Sequence, residues 1–277
     1  MRNKLTDELA VCGMNAVLAI GEYHPDTINR LFLREDRLQS FTGVCKQLAE
    51  RKRPYKICEE EELERICKSV HHQGVVAMIE EPVIESLSLE DLDLWANEGK
   101  TGIILHSIGN DHNLGAIVRA AAFFDVHFIV LNEKCIIYND EHKQDLRLTT
   151  SAYRIAEGGF EHLTVRKISN TAAFLKDASK RLVTVGTDTK ARRRISDLKG
   201  IVKTSRLASD IGVVSEVSDG KARRPGIALV LGNEEIGLPD NVKEQCSCLL
   251  RIPGTGNIES LNVSQAAALF LHIIFEV

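Results

Sequence analysis

The chain has 277 residues, a formal net charge of −4 and 44% hydrophobic residues, enough apolar material for sizeable cores. No apolar run reaches the ~18 residues of a membrane span, and Asp7 and Glu8 interrupt the stretch where a signal-peptide core would lie, so a cytoplasmic protein without a membrane partner is expected. Seven scattered cysteines, with one C-x-C at Cys246 and Cys248 and no second half-site, point to reduced thiols and no metal.

In chain order, "VCGMNAVLAIGEY" reads as a helix, "INRLFLRED" contains a strand and "FTGVCKQLAERK" is an amphipathic helix. "YKICE" reads as a short strand, "EELERICKSV" as a helix and "GVVAMIEE" as a strand. This alternation predicts a small α/β domain over residues 1–81. The acidic segment 82–100, with the only tryptophan, Trp95, reads as a linker with room for a short helix.

From residue 101 to 277 the pattern changes. "GIILHS", "HFIVLN", "RLVTVGT", "GIALVLG" and "CLLRIP" are short apolar runs separated by helical stretches, chiefly "NLGAIVRAAAFF", "NTAAFLKDASK" and "LNVSQAAALFLHIIF". Continuous apolar strands alternating with helices imply a mainly parallel sheet covered on both faces. The stretch from Ser196 to Gly226 has weak periodicity and reads as loop-rich.

Three basic runs stand out: Arg51 to Lys56, Lys190 to Arg206 with seven basic residues and one acid, and "KARR" at Lys221 to Arg224. Runs of this kind are most often solvated faces, yet three of them in a mildly acidic chain make a polyanion partner a working expectation.

The chemistry-bearing junctions follow strands. "GTGNIE" lacks the third glycine of a dinucleotide fingerprint, and no phosphate loop of the G-x-x-x-x-G-K-[ST] form is present, which leaves a nicotinamide oxidoreductase a distant alternative. "NDHNLGAIVR" puts Asn113 and Arg119 six residues apart, on a spacing that lets both point to one end of the sheet; a structural ion pair explains Arg119 equally well. "LVLGNEEIGLP" ends a strand in glycine and two carboxylates. "IPGTGNIESLNVSQAAA" opens the last helix, where Asn262 and Gln265 have the spacing of an N-cap box.

Together and in this order, these three motifs resemble the SpoU/TrmH-type RNA ribose 2′-O-methyltransferases of the SPOUT class. The resemblance covers roughly Thr101 to Val277; residues 1–81 are similar, more loosely, to the small RNA substrate-binding domain many such enzymes carry. It implies a C-terminal SPOUT domain with a deep trefoil knot, an S-adenosylmethionine cofactor and a homodimer. The catalytic set it implies is Asn113, Arg119, Glu234, Ser260 and Asn262. The implied cofactor contacts are Leu231, Gly232, Asn233, Gly237, Ile252, Gly254, Ser260 and Leu261. The basic residues Arg51, Lys52, Arg53, Arg192, Arg193 and Arg194 then become candidate contacts to RNA, either transfer or ribosomal. Arg119 stays protonated in almost any setting, which favours a phosphate clamp and hydroxyl polariser over a literal base. The sequence departs from the family where Asn110-Asp111-His112-Asn113 replaces the usual Asp-Pro-x-Asn, and where Asp125 replaces a glycine. A non-catalytic RNA-binding homologue and an enzyme methylating a base remain alternatives.

Overall fold

The computed structural model describes residues 2–3, 8–133, 135, 146–205, 207 and 224–277. Arg206 and residues 221–223 of the basic runs lie outside the described residues. The chain divides into two compact units, one of Met1–Val83, Asp111–Arg119 and Arg147–His162, the other of Ile84–Asn110, Ala120–Leu146 and Leu163–Val277.

The first unit holds a five-stranded sheet in the order β1-β2-β5-β3-β4: β1 (Arg2–Asn3), β2 (Glu8–Cys12), β3 (Ile28–Leu33), β4 (Tyr55–Ile57) and β5 (Val75–Glu80). Only β3 and β4 run parallel. The stretch expected as one helix from Val11 is a buried strand end followed by α1 (Met14–Tyr23), the two divided by Gly13 at φ 101°. Five consecutive buried residues in β2 mask the alternation that marks a half-exposed strand. Helices α2 (Thr42–Glu50) and α3 (Glu60–Cys67) follow expectation. Leu63 and Cys67 of α3 pack with Ala10, Cys12, Val76 and Met78 of the sheet.

A turn at Gly159–His162 buries Glu161, whose side chain is 8% exposed beside His24. Burial outweighs that contact and raises its carboxyl to about 7. Below the unfolded value of 4.5 the proton is held in both states and nothing is lost; as pH rises towards 7 the unfolded chain releases it first, so stability falls. The loss reaches at most ~3 kcal/mol. Glu161→Gln is therefore expected to raise the urea midpoint relative to the parent at pH 8 and much less at pH 5; an equal difference at both pH values would refute this.

The second unit is built on seven strands in the order β10-β12-β9-β11-β6-β7-β8, and every neighbouring pair is parallel. They are β6 (Thr101–Leu105), β7 (Phe128–Asn132), β8 (Thr164–Ile168), β9 (Val183–Thr187), β10 (Arg193–Arg194), β11 (Ile227–Leu231) and β12 (Cys248–Arg251). All residues of β6, β7 and β11 are buried, as expected for a sheet covered on both faces. Strand β8 escapes the sequence reading because Arg166 and Lys167 interrupt its apolar pattern at the sheet edge, where Arg166 pairs with Asp91 at 2.9 Å.

The segment expected as a linker is structured and belongs to this core. Helix α4 (Leu89–Asn97) starts at a capping box in which Ser88 and Asp91 satisfy each other's backbone N–H groups. Trp95 is fully buried, lies parallel to Phe128 at 5.2 Å and donates from Nε1 to the Ile227 carbonyl at 3.1 Å. Four more helices are α5 (Asp111–Phe123), α6 (Thr150–Ala156), α7 (Thr171–Ala178) and α8 (Leu198–Lys203), of which α6 lies wholly in the first unit and α5 passes from the first into the second. Helices α9 (Asp240–Lys243) and α10 (Val263–Phe275) complete the chain. Among the described residues no helix is long and apolar enough to cross a membrane. All seven cysteines are free; six are buried and Cys246 is half-buried.

Candidate active site and cofactor loops

The first motif sits between β6 and α5. No proline presets the turn; other groups hold it. Asn233 donates from Nδ2 to the Ser107 carbonyl at 2.9 Å. The Ile108 N–H donates to the Cys135 sulfur at 3.3 Å, and that thiol donates to the Leu105 carbonyl at 3.0 Å. Burial pushes the Cys135 thiol up to about 11, so it stays a donor at neutral pH. Helix α5 ends with Asp125 in the left-handed region at φ 56°, which accounts for the glycine expected there; aspartate is among the few other residues that tolerate it.

Asn113, in the first turn of α5, is 8% exposed. Two residues on, a Cβ at Gly115 would come within 2.6 Å of the Ala152 carbonyl oxygen and 2.8 Å of Ile155, so glycine sets the close approach of α5 and α6. Thr149, the N-cap of α6, donates from its hydroxyl to Asp111 at 2.9 Å. Arg119 is 59% exposed and ion-paired with Glu157 at 2.8 Å. The other carboxylate oxygen of Glu157 accepts from Asn15 Nδ2 at 3.1 Å. The arginine of the first motif is thus held in a structural ion pair. Sequence reasoning missed Glu157 and Asn15, because an ion pair between residues 38 apart leaves no periodic signal; the only local mark is Glu157-Gly158, both at positive φ, which reads as a helix end.

The second and third motifs lie in the other unit, at the carboxyl ends of β11 and β12, which are parallel and flank β9. This is the sheet edge where ligands of parallel α/β folds bind. After Leu231 the chain makes a compact turn closed by an Asn233–Gly237 bridge. Gly232 packs so tightly that a Cβ would lie 2.4 Å from the Gly237 backbone, whereas the space around Gly237, at φ 68°, is open. Asn233 Oδ1 accepts from the N–H groups of Glu235 at 3.0 Å and Ile236 at 3.2 Å. Its side chain is thereby committed to the protein, and its carbonyl accepts from the Gly237 N–H at 2.9 Å. Asn233→Ala is expected to slacken both this turn and the Ser107 loop, weakening S-adenosylmethionine binding about tenfold or more, since several polar groups lose their partner together. Unchanged affinity by calorimetry would contradict that role.

The segment from Ile252 to Asn262 is half-buried at Ile252 and exposed from there on, with open space at Gly254 and Gly256. Ser260 is exposed and Leu261 is 48% exposed. Asn262 is the N-cap of α10 and accepts from the Ser264 N–H at 2.8 Å and its hydroxyl at 2.6 Å. The box with Gln265 is replaced by this double contact to Ser264. Glu234 is half-buried beside Asn233.

Of the basic candidates, Arg51, Lys52 and Arg192 to Arg194 are exposed. Arg53 is occupied elsewhere, donating to the Ile28 carbonyl at 2.5 Å and to Asn29 at 3.1 Å, which ties the end of α2 to β3. Arg193 and Arg194 form β10 beside Leu250 and Arg251.

These placements meet independent likenesses. Residues 100–272 match the model of the SpoU rRNA Methylase family, and residues 10–83 match that of RNA 2′-O ribose methyltransferase substrate binding. The chain is 28% identical over 273 residues to the 23S rRNA (guanosine-2′-O-)-methyltransferase RlmB of Nitrosomonas europaea, covering 98% of this chain and 92% of that protein. It is 27% identical over 267 residues to RlmB of Bordetella pertussis, covering 95% and 94%. In fold it is similar to the SpoU methyltransferase AviRb from Streptomyces viridochromogenes in complex with AdoMet, with a TM-score of 0.67 and 18% identity over 98% of this chain and 91% of that one. With its family match spanning the whole parallel sheet and the helix after it, the chain belongs to the SpoU rRNA methylase family.

Proposed function

We propose that the protein is an S-adenosylmethionine-dependent RNA methyltransferase acting on a ribose 2′-hydroxyl of transfer or ribosomal RNA. The observation that carries this reading is the pairing, in one chain, of a SpoU methylase match with a ribose-methyltransferase substrate-binding match. The named relatives from Nitrosomonas and Bordetella are guanosine-2′-O-methyltransferases of 23S rRNA. In this reading residues 1–81 bind RNA, 82–100 join the two parts and 101–277 form the catalytic domain.

The loops fit the cofactor. Gly237, Gly254 and Gly256 leave open space at the backbone, and Ile236 and Ile258 are 80% and 81% exposed beside them. Such loops suit a ligand with an apolar adenine ring held by backbone groups. Leu231, Gly232, Asn233, Gly237, Ile252, Gly254, Ser260 and Leu261 would hold it. When bound, S-adenosylmethionine supplies an electrophilic methyl carbon. Arg119 holds the target phosphate and polarises the hydroxyl, and Glu157 fixes the guanidinium for that task. Glu234, Ser260, Asn113 and Asn262 shape the rest of the site.

The homodimer and the knot belong to the same reading. Phe123 is 80% and Phe275 58% exposed, with Phe124 6.0 Å from Phe275, an apolar face of the kind that subunits cover. Sedimentation as a monomer at micromolar concentration would remove the dimer. The cytoplasm is the expected compartment. The function is tested by incubating the full chain with S-adenosylmethionine and total RNA, then mapping nucleotides that become resistant to alkaline cleavage. One new resistant position is expected. No resistant position, or a methyl group found on a base, would overturn the ribose assignment, and absence of cofactor binding would favour a non-catalytic RNA-binding protein.

A further inference from the structure

A cleft of about 810 Å³ opens within the first unit. Its walls come from five separate stretches: the turn after β3, the start of α3, the turn before β5, the first turns of α5 and the second half of α6. They bring Arg34, Arg37, His71, His112, Asn113 and Arg154 to one place, with Glu60 the sole carboxylate among the described lining residues. Among the described residues, none from the three basic runs that stand out in the sequence lines it.

The arginines differ in how far the protein already satisfies them. Arg34 is held by Asp36 at 2.7 Å and Glu60 at 2.5 Å, so its charge is largely answered. Arg37 is answered less fully: it shares Asp36 with Arg34, pairing at 3.6 Å, and its Nε is buried with no hydrogen-bond partner. Arg154 is half-buried and makes no hydrogen bond or ion pair among the described residues. A guanidinium partly withdrawn from water is costly without an anion, and cannot escape by losing its proton. Arg154, without an anion, and Arg37, which shares Asp36 with Arg34, face one cleft and together suit an anionic ligand with oxygens in the guanidinium plane.

Two glycines lie against the arginines of the cleft. Gly74, at φ 81°, lets the stems of Arg34 and Arg37 approach to within 3.2 Å of where its Cβ would be. Gly13, at φ 101°, lies 3.7 Å by the same measure from the Arg154 stem. The first turn of α5, a thirteen-residue helix, adds the positive end of its dipole together with Asn113. Apart from the two histidines, no aromatic side chain among the described residues lines the walls, which favours reading of the ligand's backbone over base stacking.

We infer that this cleft binds the phosphodiester backbone of the substrate RNA next to the target nucleotide, with Arg37 and Arg154 each clamping a phosphate. The inference rests on the methyltransferase reading, because Asn113 is shared between the cleft and the proposed catalytic set, and a ribose within a polynucleotide carries phosphate on both sides.

The test uses the full chain and a fluorescein-labelled hairpin RNA with a twelve-nucleotide loop, titrated by anisotropy across a range of salt concentrations. Arg154→Gln and Arg37→Gln are each expected to weaken binding about three- to tenfold at moderate salt and to flatten the log–log salt slope by about 0.7 to 0.9, as for one lost phosphate contact. Arg154→Lys, which keeps the charge and serves if the glutamine variant misfolds, is expected to retain the slope while losing affinity. S-adenosylmethionine binding by calorimetry should be unchanged in all three. Parental slopes in both glutamine variants, or in the one that folds, would overturn the cleft and leave the methyltransferase reading standing. A flattened slope in Arg154→Lys would also overturn it, since the charge has not changed. A parent chain that binds no RNA would overturn both.

Discussion

Arg119→Ala is expected to lower the rate of methyl transfer by on the order of 100- to 1,000-fold, the effect of deleting one preorganised charged donor at a reacting centre. S-adenosylmethionine should bind with parental affinity, because the loops proposed to hold it follow β11 and β12 while Arg119 lies on α5. Stability should move little. The ion pair with Glu157 is 59% exposed on the arginine side, and exposed pairs contribute about 0–1 kcal/mol. The split between lost turnover and kept folding is what separates a functional arginine from a structural one. Arg119→Lys sharpens it: lysine keeps the charge but not the planar fork, so it should restore RNA affinity more than rate. Single-turnover methylation with a saturating cofactor measures the effect. Near-normal turnover of the alanine variant would refute the assignment.

Trp95→Ala is expected to destabilise the second unit strongly, by about 4–5 kcal/mol. The indole is fully buried and lies flat on Phe128 at 5.2 Å, with Leu92, Ile104, Val130, Ala228 and Val230 in the same cluster. Its removal leaves a cavity and strips the Ile227 carbonyl of the indole donor. Because native domains hold only about 5–15 kcal/mol in reserve, the variant should unfold at much lower urea. Gly102 supplies a matching test from the other side: a Cβ there would sit 2.3 Å from the indole ring, so Gly102→Val should overpack the same contact. A midpoint for Trp95→Ala close to the parental one, with unchanged slope, would show that α4 is an accessory and not part of the core.

The contrast between α4 and the central strands shows what was legible in the sequence. The strands β6, β7 and β11 announce themselves because burial on both faces leaves continuous apolar runs, and β9 and β12 follow as short apolar stretches. Helix α4 was allowed for in the acidic segment, but its place in the core was hidden by its acidic surface, since only Trp95 and Leu92 of its nine residues are buried. Strand β2 failed for the opposite reason, since its apolar run continues across Gly13 into α1 without a change in composition. In the site, the order and content of the three motifs were readable and Asn262 as a helix cap was readable too. Glu157, Asn15 and the Cys135 thiol were not. Each acts through a contact that folding creates between distant segments, and a single sequence carries no trace of such contacts.

The strand order of the second unit also dictates when the sheet can close. Strand β12 is the last to be made, yet it lies inside the sheet between β9 and β10. During synthesis, β9 therefore presents a bare, apolar edge until Cys248 to Arg251 emerge, and β10 has no neighbour to pair with before then. An open parallel edge of this kind is a template for pairing with other chains. A message truncated just before β12 would thus yield more than an incomplete enzyme; it would yield a sticky one, and the cell's burden from such a truncation would be aggregation rather than simple loss of activity.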